Sequence, residues 1–374
     1  MSRRREVVSG RVVVAAALAA SLVTGACASG SPAPSASADP LAAAVAAEMN
    51  RYTAEANIRA IIVEVGGRTR FERYYASSPD QYRSIFSVTK TVMSTLVGIA
   101  IDEGRLHLDD RLGQLLPDEA ATMTPQVARV TLRQLLTMTG GFPDTWNGSG
   151  NALESARNWT RYTLTHQDQP PPAQFHYSDY GVNLLSPILV QATGQSVLAY
   201  ARAKLFDPLG IPTTPASEPL ADEAHLAEYL RAQFAWRVDP QGFHIGAADL
   251  KLRPRDMVRF GELFLQDGRW RDTQIVSTAW VRRATVAQAG TAFVFQGAGA
   301  FNPRNYGYLW WVDTVNGADA YFAWGFGGQL IEVVPAHRQV IVVSTDVDFT
   351  NPHAPTVSVD DIQRLVDIIA PLAH

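Results

Sequence analysis

Ser84-Ile85-Phe86-Ser87-Val88-Thr89-Lys90-Thr91-Val92-Met93-Ser94-Thr95-Leu96-Val97-Gly98-Ile99-Ala100-Ile101 carries a single charge, Lys90. The rest of this run is apolar, small or hydroxylic, which predicts a helix packed on most sides. Burying an ammonium is expensive unless the group is paired or used. Ser87 precedes Lys90 by three residues, so on a helix the two side chains face each other, roughly 5–6 Å apart at Cβ. A proton acceptor, or a positive charge, then stands beside a hydroxyl near a helix N-terminus. Backbone N–H groups there stabilise developing negative charge. The pattern predicts a nucleophilic serine with its lysine. A serine three before a lysine carries no chemistry alone; the buried helix gives this pair its weight.

The flanking sequence sets the fold class. Upstream, residues 41–56 have helical periodicity, and 58–65 and 70–75 are strand-like runs joined at Gly66-Gly67-Arg68. Downstream the pattern turns helical, over 130–138 with Thr131 as N-cap, 183–193, 196–205, 254–266 and 278–286. From Tyr306 it changes to strands, at 307–314, 320–324, 330–334 and 340–345, before a last helix over 359–370. Short connections make such strands antiparallel. The expected class is α+β: a mainly antiparallel sheet flanked by helices, with a mostly helical insertion. The sheet part is expected at about 41–117 and 301–374, and the helical part at about 118–300.

The chain has 374 residues, 47% hydrophobic, with a net charge of -4. That length supports a large core, and the acidic balance leaves no electrostatic footprint for nucleic acid. Residues 1–27 read as an export signal, with Arg3-Arg4-Arg5 followed by an apolar run over 12–23. Residues 28–40, rich in Ser, Pro and Ala, read as a flexible linker before the domain at 41–374. The lone cysteine, Cys27, ends Leu22-Val23-Thr24-Gly25-Ala26-Cys27. This resembles a lipobox, with Thr24 where leucine is usual. Lipidation of Cys27 and anchoring on the outer face of the cell membrane is one expectation; cleavage near Ala26 or Ala28 and secretion is the other. Without further cysteines, disulfides play no part in the mature domain.

Two more constellations follow. Tyr177-Ser178-Asp179 stands just before a helix, and a tyrosine near a cationic lysine is expected to lose its proton more readily than a free phenol. Trp324-Gly325-Phe326-Gly327-Gly328-Gln329 lies on or beside a strand, where adjacent glycines allow close approach of a backbone or substrate. The ordered set of SxxK, Tyr-x-Asp and glycine-rich strand resembles the serine β-lactamase and penicillin-binding protein superfamily. It is most similar to the class C-like branch, which includes esterases, D-amino-acid peptidases and 6-aminohexanoate-dimer hydrolases. Leu135-Leu136-Thr137-Met138-Thr139-Gly140-Gly141, Phe206-Asp207-Pro208-Leu209-Gly210-Ile211 and Tyr306-Gly307-Tyr308-Leu309-Trp310-Trp311 support the resemblance, which covers about residues 45–372.

The resemblance implies roles. Ser87 is the acylated nucleophile, Lys90 helps deprotonate it, and Tyr177 acts as base toward serine and acid toward the leaving group. The oxyanion hole is the N–H of Ser87 and that of Gln329, which follows the glycine pair. Asp179, Trp324, Phe326, Gly327, Gly328, Asp144 and Trp146 are expected around the substrate. Two departures from the family pattern matter. Phe326 stands where lysine or histidine usually binds a substrate carboxylate. Asp179 stands where asparagine is usual; an ionised aspartate accepts but does not donate. It is expected to pair with Lys90 and keep it cationic, leaving Tyr177 as base. Lone His244 is expected to be structural.

The expected activity is a serine hydrolase acting through an acyl-enzyme on small esters or amides, including linear amides like aminohexanoate oligomers. One rival is a D-Ala-D-Ala-type carboxypeptidase or β-lactamase, with Arg304 or Arg338 supplying the missing cation. The other is a non-catalytic envelope protein that binds wall fragments. No G-x-S-x-G elbow and no H-E-x-x-H motif occurs. No metal, organic cofactor or protein partner is expected.

Overall fold

The computed structural model describes residues 39–51, 57–143, 150–291, 305–351 and 354–373. Cys27, Asp144, Trp146 and Arg304 lie outside the described residues. Strand β1 (Ile58–Val65) and β2 (Arg68–Tyr74) form a hairpin turned at Gly66-Gly67. The remaining strands of the main sheet are β3 (Ala289–Gly290), β4 (Asn305–Tyr306), β5 (Trp311–Val315), β6 (Ala318–Gly325), β7 (Gln329–Val334) and β8 (Gln339–Thr345). Their order is β2-β1-β8-β7-β6-β5-β4-β3, antiparallel throughout. The two ends of the chain thus meet at the β1–β8 seam, where Ile62 faces Val342.

Every residue of β7 and β8 is buried. That is why these strands read as continuous apolar runs rather than as alternation: both faces of the sheet are covered. The helices that matter for the site and its support are α1 (Pro40–Met49), α2 (Thr89–Asp102), α3 (Asp179–Asn183), α4 (Leu185–Thr193), α5 (Pro254–Leu265) and α6 (Val359–Leu372). On one face α5 comes so close that a Cβ on Gly261 would stand 2.6 Å from Val340 Cγ1. Gln339, one residue earlier and so on the opposite face, donates its side-chain amide to the Ala370 carbonyl of α6 at 3.4 Å. Among the described residues no helix is long and apolar enough to cross a membrane.

The expected elements are present, with differences in extent; the helix predicted over 41–56 ends at Met49. The helix predicted over 183–193 starts earlier, as α3, and a break at Leu184 separates it from α4. The strand predicted over 307–314 begins later, as β5 at Trp311, with the short β4 (Asn305–Tyr306) ahead of it. Between them the backbone bonds elsewhere: Tyr308 N–H to the Ala284 carbonyl at 2.9 Å and Leu309 N–H to that of Leu136 at 3.0 Å. The sheet also takes β3 from within the stretch expected to be helical, through pairing with β4.

Glu332 on β7 is a local conflict between sequence and fold. It is buried between Phe322 and Ile341 of the neighbouring strands, and its Oε1 has no hydrogen-bond partner among the described residues. Burial, then Asp313 and Asp367, push its carboxyl well above the usual range. A raised folded value favours the fold below the unfolded value of 4.5, and that advantage is lost as pH rises through the folded value. Glu332→Leu is therefore expected to raise stability near neutral pH by about 1–3 kcal/mol, with a smaller gain in acid. Urea unfolding at both pH values checks this; no gain near neutrality would contradict it.

Candidate active site

The site is assembled where a short strand runs into α2. Arg83–Ser84 pairs with Lys251–Leu252, and Ile85 N–H donates to the Leu250 carbonyl at 2.9 Å. Phe86, at φ 43°, turns the chain into a 3-10 turn (Phe86–Val88) that continues as α2. Three residues per turn eclipses i and i+3, a tighter alignment than an α-helix gives. Lys90 Nζ accordingly donates to Ser87 Oγ at 2.8 Å.

Lys90 is 1% exposed, yet it is surrounded by partners. It ion-pairs with Asp179 Oδ1 at 2.6 Å and donates to the Ala247 carbonyl at 2.8 Å. Both partners depend on α3. Ser178 caps that helix by accepting from Gly181 N–H at 3.2 Å, which sets Asp179 at its first position. Asn183 Oδ1, at its last position, accepts from Ala247 N–H at 3.0 Å and so aims the Ala247 carbonyl. Tyr177 is buried, with its ring stacked on Trp311 (centroids 5.6 Å apart, planes 9° apart). Its hydroxyl hydrogen-bonds to both Ser87 and Lys90.

The electrostatics correct one expectation and bear out another. Burial alone would lower the Lys90 ammonium, but Asp179 and Tyr177 outweigh it and hold it above its ordinary value. Lys90 is the cation, as expected from Asp179. Tyr177 does not lose its proton more readily than a free phenol. Burial pushes its hydroxyl up, and Asp179 adds to that push; the pull of Lys90 and the hydrogen bonds does not compensate. The resting site therefore holds an ammonium and a neutral phenol.

The glycine-rich segment is the β6–β7 turn. Backbone approaches closely at Gly325, where a Cβ would collide with the Ile85 carbonyl and lie 3.2 Å from Phe86 Cβ. At the expected pair side chains approach instead: a Cβ on Gly327 would collide with Val347, and one on Gly328 would lie 3.2 Å from Val357 and Ile362. Gln329 is fully buried and spends its side chain on Thr345, donating to its carbonyl at 2.9 Å and accepting from its N–H at 3.1 Å. Phe326 is 45% exposed and meets Phe86 edge-on at 5.7 Å, while Trp324 is buried on β6 opposite Leu330. Arg338 cannot serve as a carboxylate-binding cation here. It lies in the β7–β8 turn beside Gly66, at the other end of a strand of about 20 Å. His244 is buried and paired with Glu218 at 2.9 Å, away from Ser87's partners, which fits its structural reading.

A cavity of about 740 Å³ opens beside Asp179 and Ala247. Among the described residues its wall carries five carboxylates (Glu154, Asp179, Asp222, Glu223 and Asp249) against one cation, Arg237. Asp249 has φ 67° and pairs with Arg237 at 3.3 Å. Burial, and then the nearby Asp179, push its carboxyl up despite Arg237. Sequence reasoning missed Asn183, Ala247 and Asp249. The Ala247 contribution is a backbone carbonyl, which leaves no side-chain signal. Asn183 and Asp249 come close to Lys90 only through long-range packing. Among the described residues no group of His, Cys, Asp and Glu could hold a metal ion.

Comparison with known proteins agrees with this geometry. The family model described as Beta-lactamase matches residues 45–361. The chain is 29% identical over 278 residues to Penicillin-binding protein 4 of Amycolatopsis lactamdurans, covering 70% of this chain and 71% of that protein. It is 24% identical over 304 residues to the 6-aminohexanoate-dimer hydrolase of Paenarthrobacter ureafaciens, covering 76% and 71%. Among solved structures, EstCE1, a hydrolase with promiscuous acyltransferase activity, superposes with a TM-score of 0.68 at 17% identity, over 88% of this chain and 98% of the other. The D-amino acid amidase of Ochrobactrum anthropi gives 0.64 at 18% identity, over 89% and 98%. These two structures share the fold. The match over most of the length, together with the ordered motifs and the sheet they sit on, places this chain in the Beta-lactamase family, whose members are serine hydrolases.

Proposed function

We propose that the chain hydrolyses small esters and amides through an acyl-enzyme on Ser87, with linear amides that carry an amine as the favoured class. The observation that carries this reading is the closed contact set of Ser87, Lys90, Tyr177 and Asp179 around one buried ammonium. Ser87 Oγ attacks the carbonyl carbon while its proton passes to the Tyr177–Lys90 pair. The tetrahedral oxyanion is held by backbone N–H groups. We assign one donor to Ser87 and the second to Phe326 N–H, which directly follows the close approach at Gly325, in place of Gln329. The C–O or C–N bond then breaks, and the pair returns the proton to the leaving oxygen or nitrogen. Water attacks the acyl-enzyme by the same route and frees Ser87.

The substrate class follows from the walls. A cavity of about 740 Å³ suits a small ligand, and its excess of carboxylates favours an ammonium. A bulky anionic β-lactam is disfavoured on the same ground. The test is a turnover panel on the purified full chain: p-nitrophenyl acetate and butyrate, a 6-aminohexanoate dimer, nitrocefin and a D-Ala-D-Ala peptide. Turnover of esters and the linear amide above the other two is expected. Faster turnover of nitrocefin or the peptide would overturn the substrate class. A folded protein inert toward all five would favour the binding-protein alternative.

A further inference from the structure

A second cavity, of about 140 Å³, shares the wall residue Phe349 with the acidic one. It also adjoins the site through Phe86, the residue before Ser87, and through Val347, which packs on Gly327. Its character is opposite. Arg83 and Lys251 line it, both buried, at 8% and 5% exposure. The pairing of Arg83–Ser84 with Lys251–Leu252 brings them together. Lys251 Nζ donates to the carbonyls of Ala232, Tyr229 and Leu230 at 2.7, 3.0 and 3.3 Å. Arg83 Nη2 donates to Ser77 Oγ at 3.1 Å, while its Nε, closed off from solvent, has no partner among the described residues.

Two buried cations thus face one cavity, and among the described residues neither forms an ion pair. The carboxylate on the rim, Asp346, is half exposed and paired with Arg59 at 3.5 Å. Like charges taken out of water without a counter-charge are unfavourable. Burial and then Arg83 pull the Lys251 ammonium down to about 8, with Asp346 only partly opposing them. The cavity is several times the roughly 30 Å³ that one water occupies, so a carboxylate with a short chain fits.

We propose that this cavity is an anion subsite that takes a carboxylate, with the Arg83 guanidinium that lines it as donor and Lys251 as the neighbouring charge. It supplies, from the Ser87 side, the cation that Phe326 does not. Together with the acidic cavity it points to a linear amide with an ammonium at one end and a carboxylate at the other. The inference rests on the hydrolase reading only for the source of the carboxylate, substrate or free anion.

The test has two arms on the full chain, with Arg83→Lys (charge kept, guanidinium removed) and Lys251→Met, each checked for folding by circular dichroism. The first arm compares kcat/KM for mono-p-nitrophenyl glutarate and p-nitrophenyl valerate. The glutarate-to-valerate ratio is expected to fall about tenfold in Arg83→Lys, the effect of one charge-assisted hydrogen bond. The second arm follows line broadening of isotope-labelled acetate, which needs no catalysis. Broadening lost in both variants, with the ratio also lowered, identifies a substrate carboxylate. Broadening lost with the ratio unchanged identifies a free small anion in the same subsite. Acetate signals and ester ratios that the variants leave alone would overturn the proposal. If neither ester is turned over, the hydrolase reading fails and the acetate arm alone decides the subsite.

Discussion

Lys90→Met is expected to lower kcat/KM for a p-nitrophenyl ester by about 10³- to 10⁴-fold, the upper range for loss of a general acid–base partner. The ammonium touches Ser87 at 2.8 Å and Asp179 at 2.6 Å, so its removal breaks the proton route and leaves a carboxylate facing the serine. The fold should survive. Asp179 is 29% exposed and reaches the solvent of the acidic cavity, so it is not stranded in an apolar interior. A methionine fills most of the volume that Lys90 leaves in the packed helix. Steady-state kinetics and thermal unfolding of the same preparation read both effects. A folded variant that keeps more than about a tenth of the activity would contradict the assignment of Lys90 to proton transfer.

The second large effect is on pH. The resting pair holds a cationic Lys90 and a neutral Tyr177, both with values raised by their surroundings. Attack by Ser87 needs one proton fewer on that pair, so the competent form is scarce below the raised values. Its population falls about tenfold for each pH unit below them. kcat/KM should therefore climb through the neutral range toward an alkaline plateau. Asp179→Asn tests the cause. Asp179 raises both groups, so its removal lowers both, and the climb should move to lower pH. The profile of kcat/KM from about pH 6 to about pH 10 for both proteins checks this. An unmoved or more alkaline profile in the variant would show that Asp179 does not set the charge state of the pair.

What the sequence made legible follows from range. Ser87 and Lys90 are three residues apart, and local geometry alone brings them together. The last three long strands lie in register because each is a short apolar run ended by turn residues. Asp179 as the partner of Lys90 was readable because a carboxylate offers an ammonium only one kind of contact. The rest was not local. The Ala247 carbonyl and its support from Asn183 exist only once α3 packs against the loop at 244–250. The proton affinity of Tyr177 depends on burial against Trp311, which no neighbour in sequence reveals. Which glycine meets backbone was not readable, because the turn at Gly327-Gly328, closed over Val347, and the backbone approach at Gly325 look alike in one dimension. Arg83 and Lys251 form a pair only through a two-residue strand contact far too short to read from periodicity.

The central claim is a covalent intermediate on Ser87. Intact mass and peptide mapping of the full chain, after reaction with a fluorophosphonate and after brief mixing with a slow ester, test it most directly. An adduct on the peptide that contains Ser87, absent from a folded Ser87→Ala variant without turnover, is the predicted result. An adduct on another residue, or ester turnover retained in Ser87→Ala, would contradict it.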